Sequence, residues 1–340
     1  MSRPPGAARP RTHALNPFVE VFLQNRLAEQ PPRAKSLCVT LLGDALAPHG
    51  GAIWLGDWIE LAAALGINER LLRTSVFRLV AQGWLRSERV GRRSLYRLSA
   101  QGERQMAHAS ARIYTGPPSE WNGEWTVVIL PRMGASVPPE RAELRRELVW
   151  EGFGVVAPGV FVHPQTEAGA AHDILEKLEM PGRALVLRSR DLPGSDSLPI
   201  ENLVPQCWNL DALAAKYHEF SARYGALAGS LARATPTPAQ AFALRAILIH
   251  DWRRIVLHDP QLPAPLLPAQ WPGISARRLC GELYWQLFAG SEIHLEAVAG
   301  RDNERYGPFA PATLNRFGGA PIPRELAAHQ CAASPRVLTP

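Results

Sequence analysis

The sequence predicts an α+β chain in three parts: an N-terminal winged helix-turn-helix, a central ferredoxin-like βαββαβ domain and a mainly helical C-terminal domain. Three observations carry this. Helical periodicity from Ser36 to Ala81 runs straight into two short, arginine-rich strand patterns. Past Gly116-Pro117-Pro118 the pattern changes to short apolar strands alternating with helices. Beyond Pro205 only long helical patterns remain.

The elements follow in order. Residues 1–16, rich in Pro and Arg, predict a loose basic arm, and Pro17 to Glu29 a short helix, so 1–33 stand apart from the first domain. That domain spans 34–115. Its first helix covers Ser36 to Leu46, a short strand Gly51 to Trp54, and a second helix Leu55 to Leu65, which Gly66 breaks. Asn68 caps a third helix that stops at Gly83, with Leu72, Val76, Leu79 and Val80 spaced to face a core. A two-strand ribbon turns at Val90-Gly91-Arg92, and Ser99 caps a helix ending near Ile113.

The central domain covers 120–190. Trp125 to Leu130 reads as a strand and Pro138 to Glu151 as a helix. A hairpin of Phe153 to Val156 and Val160 to His163 turns at Ala157-Pro158-Gly159. Thr166 to Leu178 is a second helix and Ala184 to Leu187 the last strand. That order is the ferredoxin-like one. Asp191 to Pro205 reads as a linker. The helical part, 206–300, holds Leu210 to Leu231, Pro238 to Leu257 and Ser275 to Ala289, with a proline-rich connection before the last. Residues 301–340 carry little pattern.

Composition sets the limits. The 340 residues are 46% hydrophobic and 20% charged, as in ordinary globular domains. The net charge of +6 is unevenly placed: residues 1–115 hold sixteen basic and eight acidic side chains, so the first domain is the one to meet a polyanion. No run of about 18 apolar residues offers a membrane span, and no signal peptide precedes the fold. Cys38, Cys207, Cys280 and Cys331 lack metal-ligand spacing and read as reduced thiols of a cytoplasmic protein.

Between positions 68 and 97 stand eight Arg and two Glu. An arginine-rich helix face alone is usually just a solvated face. The following basic ribbon is what a solvated face does not predict, and it points to double-stranded DNA. Arg70, Arg73, Thr74, Ser75 and Arg78 belong to the helix expected in the major groove, with Arg73 the base reader. Arg89, Arg92, Arg93 and Tyr96 belong to the wing, Tyr96 serving either contact or core.

These residues resemble the PaaX family of bacterial transcriptional repressors. The resemblance lies in L-R-T-S-V-F-R-L-V-A-Q-G-W-L, G-R-R-S-L-Y-R-L, W-N-G-E-W-T at Trp121 to Thr126, G-F-G-V-V-A-P-G-V-F-V-H-P, and H-D-W-R-R-I-V-L-H-D-P-Q-L-P-A-P-L-L-P-A-Q-W-P-G. It implies repression of phenylacetic acid degradation, a homodimer on promoter DNA, and release by phenylacetyl-coenzyme A or a related acyl-CoA. It implies no catalytic residue and no cofactor. For such a thioester, Arg253 and Arg254 suit the phosphates, and Trp252, Trp271, Tyr284 and Trp285 its ring systems. The other reading of these aromatics is the core of a helical domain.

Two enzyme-like readings bear on the central domain and on the H-D-W-R-R-I-V-L-H-D string. The central topology looks like that of the small ferredoxin-like nucleases of CRISPR adaptation, which place a metal-holding Asp at the end of the first strand. Here the strand ends in Pro131-Arg132-Met133, so a metal-dependent nuclease is the alternative, not the expectation. His250 and His258 share a helix face but stand two turns, about 12 Å, apart, too far for one ion, and Asp251 and Asp259 would need partners from elsewhere. No metal is expected.

Overall fold

A computed structural model describes residues 16–131, 139–164, 169–190, 200–231, 233 and 235–319. The basic arm before Asn16, residues 191–199 of the expected linker, and the chain end after Gly319 with Cys331 lie outside the described residues. Among the described residues the fold is mixed α+β with two small sheets and a helical C-terminal region.

In chain order, α1 spans Pro17–Glu29, α2 Ala34–Leu41, β1 Ala52–Trp54, α3 Leu55–Ala63, α4 Glu69–Ala81, β2 Leu85–Val90, β3 Arg93–Leu98 and α5 Ala100–Tyr114. Then come β4 Glu124–Ile129, α6 Pro139–Glu151, β5 Gly154–Ala157, β6 Val160–His163, α7 Gly169–Lys177 and β7 Leu185–Arg190. The last helices are α8 Ile200–Cys207, α9 Leu210–Leu231, α10 Pro238–Val256 and α11 Pro272–Ala299. Two compact units result. One holds Met1–Ala107, Arg223–His250 and Leu279–Pro340; the other holds His108–Ala222 and Asp251–Arg278. Residues of the helical part expected at 206–300 are therefore divided between them.

In the first unit, β1, β3 and β2 form a three-stranded antiparallel sheet in that order. Helix α4 packs on α2, α3 and β2, burying Leu72, Val76 and Leu79. Asn16 caps α1 by accepting from the amides of Phe18 and Val19, and its own backbone exchanges 3.2 Å bonds with the Gln240 amide of α10. The helix expected over 36–46 is not one regular helix. After Leu41 it widens into a π-turn segment, Leu42–Leu46, and then a 3-10 turn at Ala47–His49. That bulge carries Asp44, which is 3% exposed.

In the second unit the sheet order is β5-β6-β4-β7, antiparallel throughout. With α6 and α7 this is the expected βαββαβ order, and it fits the ferredoxin-like arrangement. Leu144 and Leu148 of α6 and Ala171, Ile174 and Leu175 of α7 close over Val128 and Phe161. Strand alternation puts Thr126, Val128, Phe161 and His163 on that face. His163 is buried, its Nε2 3.2 Å from the Pro260 carbonyl, and burial pushes its pKa down to about 4.

Three expectations are corrected. The linker read over 191–205 contains α8, in spite of Pro205. Only one ladder bond is lost to that proline, and packing holds the segment: Val204 is buried and Trp208 donates to the Gly152 carbonyl at 2.9 Å. The helix expected to stop at Ala289 continues to Ala299. Gly290 does not end it; a Cβ there would lie 2.9 Å from the Ala241 side chain, so the glycine lets α11 and α10 approach. Finally, part of the patternless tail is built in, with a 3-10 segment at Pro311–Gly318.

Candidate nucleic-acid interface

Helix α4 begins where Asn68 Oδ1 accepts from the Leu71 amide at 2.9 Å. It ends at Gly83, whose φ of +74° is in the left-handed region that favours glycine. Ser99 secures that end, donating from Oγ to the Gly83 carbonyl at 2.5 Å while capping α5 through the Gly102 amide. With the buried stripe fixed inward, the opposite face must be solvent. Arg70, Arg73, Thr74, Phe77 and Arg78 all stand exposed there.

Individual groups differ. Arg73 pairs with Glu69 one turn earlier at 2.7 Å, both side chains about half exposed. The Thr74 hydroxyl donates to the Arg70 carbonyl at 2.9 Å, which leaves its oxygen free to accept. Ser75 does not sit with them. It is 5% exposed and its hydroxyl is turned onto the Leu71 carbonyl at 2.8 Å, a packing position. Helical spacing explains this: Ser75 follows Leu72 by three residues and falls on the buried stripe.

The hairpin pairs Arg89 with Ser94, Val90 with Arg93 and Arg86 with Arg97. Two arginines directly opposite cost stability in water and are favoured beside phosphates. Arg86, Arg89 and Arg92 are exposed, and Tyr96 is half-buried. Among the described residues, Arg70, Arg78, Arg86 and Arg92 have no ion-pair partner. Arg93 is different. Its guanidinium lies 4.3 Å from the Trp54 ring centre, 3.8 Å from Asp57 and 3.9 Å from Asp302. It is held against β1 and the turn after α11.

That turn is the part the sequence did not reveal. The Asp302 carbonyl accepts from Trp54 Nε1 at 3.0 Å, Asn303 donates to the Ala52 carbonyl at 3.1 Å, and Arg305 pairs with Glu88 at 3.1 Å. Residues after Gly300 thus brace the three-stranded sheet. Deeper in this unit, Asp44 binds Arg245 at 2.9 Å and Arg316 at 3.0 Å. Arg245 also meets Glu292 at 2.5 Å, and Glu292 meets His49 at 2.8 Å. Burial opposes the charge of Arg245, but Asp44 and Glu292 hold it firmly protonated. Burial likewise opposes the Glu292 carboxylate, and Arg245 and His49 together outweigh it and keep the pKa below the usual range. The only hint in sequence is a charged residue at a helix position otherwise lined by Leu and Ala.

The six effector candidates fall into two clusters. Trp252 and Trp271 are brought together around Tyr217, with ring centres 5.8 and 5.9 Å from it. Trp252 is buried and donates to the Ile113 carbonyl at 3.0 Å. Arg253 is half-buried, burial lowering its pKa, and Arg254 is exposed. Tyr284 and Trp285 belong to the first unit. Tyr284 accepts from Arg316 at 2.7 Å, burial pushing its pKa up to about 12, and Trp285 donates to the Arg316 carbonyl at 3.3 Å.

His250 meets the Thr40 hydroxyl at 3.0 Å, His258 meets the Arg254 carbonyl at 3.0 Å, and Asp259 accepts from Tyr217. Among the described residues, no group of three or more His, Cys, Asp or Glu is placed to hold a metal. Strand β4 runs out into Leu130 and Pro131, where a nuclease of this topology would need a carboxylate. Among the described residues, no helix is long and apolar enough to cross a membrane.

Residues 33–102 match the family of PaaX-like proteins, 118–199 the central Cas2-like domain of PaaX protein, and 208–297 the PaaX-like C-terminal domain. The chain is 33% identical over 311 residues to the transcriptional repressor PaaX of Escherichia coli (strain K12), covering 90% of this chain and 97% of the relative. Among solved structures it is similar to the uncharacterized protein Rv0674 from Mycobacterium tuberculosis, with 26% identity and a TM-score of 0.46 over 76% of this chain and 98% of that one.

Proposed function

Because this chain belongs to the PaaX family, a family of regulators and not of enzymes, we propose that it is a transcriptional repressor of phenylacetate catabolism acting in the cytoplasm. It binds promoter DNA as a homodimer and is released by phenylacetyl-CoA or a related aryl-acyl-CoA. The observation that carries the reading is the exposed arginine surface formed by the outer face of α4 and the β2–β3 hairpin, on which Arg70, Arg78, Arg86 and Arg92 have no ion-pair partner among the described residues. In this reading the first unit contains a winged helix-turn-helix. Helix α4 enters the major groove with Arg70, Arg73, Thr74 and Arg78, and the hairpin is the wing whose Arg89, Arg92 and Tyr96 meet the backbone or minor groove. Arg93 adds charge beside the hairpin turn. Ser75 supports the helix from within.

Release requires that the effector bind better to a form whose two DNA-binding heads no longer match the operator. Arg253 and Arg254 are its proposed phosphate contacts, beside Trp252 and Trp271; Tyr284 and Trp285 are the candidates in the other cluster. The test is binding of the full chain to duplex DNA from upstream of its own coding region. Arg70→Ala with Arg73→Ala should abolish sequence preference while leaving the fold intact. Retained preference would remove α4 from the groove.

A further inference from the structure

Phe77 is 74% exposed, more than any other large apolar side chain among the described residues. Its position is not incidental. Counting from Arg70, residues 70, 73, 74, 77, 78 and 81 follow i, i+3, i+4, i+7, i+8 and i+11, one face of the helix. Phe77 lies on the centre line of that face, flanked by Arg73 and Thr74 one turn back and Ala81 one turn on. The carboxylate nearest this face in sequence, Glu69, is already bound to Arg73.

These surroundings decide what covers the ring. An apolar protein surface would have to desolvate Arg70 and Arg78 with nothing to pair them. The major groove of DNA meets both demands at once. Its phosphates take the guanidinium groups, and its one apolar group, the 5-methyl of thymine, takes the ring. We infer that Phe77 is a specificity-determining residue that reads a thymine methyl group in the operator. The inference rests on the proposed placement of α4 in the groove. It also fixes a position. One helical turn separates Arg73 from Phe77 by about 6 Å along the axis, and base pairs rise about 3.4 Å. The thymine therefore lies one or two base pairs from the guanine that Arg73 contacts.

The test takes the tightest duplex that the full-length protein selects from a random library. Each thymine is replaced in turn by uracil, which removes only the methyl group and keeps the pairing. At one position per half-site the change should weaken wild-type binding about three- to fivefold, the worth of one buried methyl. The Phe77→Ala protein should bind the parent duplex more weakly by a similar factor and ignore the uracil. Phe77→Leu should keep part of the discrimination. If no uracil matters while Arg73→Ala still relaxes the preference at a guanine, α4 is in the groove and the Phe77 inference is wrong. If neither Arg73→Ala nor Phe77→Ala alters sequence preference, the placement of α4 fails, and the inference with it. If Phe77→Ala instead dissociates a dimer in sedimentation with uracil discrimination unchanged, the ring covers protein and the inference is overturned.

Discussion

Replacing Asp44 by Asn removes one charge from a buried site and changes almost no volume. Asp44 is 3% exposed, and its carboxylate oxygens lie 2.9 Å from Arg245 Nε and 3.0 Å from Arg316 Nη1. After the change Arg245 keeps Glu292 at 2.5 Å. Among its partners Arg316 keeps Tyr284 Oη at 2.7 Å and the carbonyls of Asp44 at 3.0 Å and Gly43 at 3.3 Å. A buried cation thus loses its carboxylate. Breaking a buried ion pair from one side costs about 3–5 kcal/mol, and the retained carbonyl bonds put Asp44→Asn at the lower end, about 3 kcal/mol. Urea unfolding of the full chain measures it as a lower midpoint at constant slope. Adding Arg316→Met removes the cation that Asp44 had balanced, and should restore at least half of the loss. A loss under about 1 kcal/mol, the worth of an exposed pair, would refute the buried network. So would a double variant as unstable as the sum of the single ones.

Three further outcomes are expected. His163, ordinarily near 6.5, is depressed by burial to about 4, so its contribution is complete above pH 6.5 and is lost as the pH falls toward 4. The total is about 3 kcal/mol, and the urea midpoint of a His163→Gln protein should fall less steeply over that window. Arg92→Ala, at the hairpin tip, should weaken all duplexes alike and lower the slope of log affinity against log salt by about 0.9. An unchanged slope would take the hairpin off the phosphates. Glu69→Gln frees Arg73 from an exposed pair worth about 0.5 kcal/mol or less, so DNA affinity should rise by up to about twofold with folding stability nearly unchanged. A drop in affinity would show that Glu69 positions Arg73.

Local signals made much of this legible in sequence. Asn68, the Leu72-Val76-Leu79 stripe and Gly83 mark α4 because caps and periodicity act within a few residues. The 157–159 turn, with Gly159 at φ +85°, marks the β5–β6 hairpin for the same reason. What escaped depends on distant partners. The linker reading over 191–205 and the helix end at Ala289 missed this, and only packing on Gly152 and Ala241 shows why α8 and α11 persist. Asp44 reads as one surface charge until Arg245 and Arg316 arrive from 201 and 272 residues away. The exposed face of α4 was legible because burial of the opposite stripe fixes it. The separation of Trp252 and Trp271 from Tyr284 and Trp285 was not, since a helix pattern does not say which neighbour each turn meets.

The central claim is an effector-released repressor, and fluorescence anisotropy tests it directly. The purified full-length protein is titrated onto labelled duplex from upstream of its own coding region, at fixed salt, with and without phenylacetyl-CoA. The account predicts tight, sequence-dependent binding that the thioester relieves and free phenylacetate does not. No preference over random duplex at any salt would contradict the repressor reading, and tight binding indifferent to every aryl-acyl-CoA tested would contradict its mechanism of release.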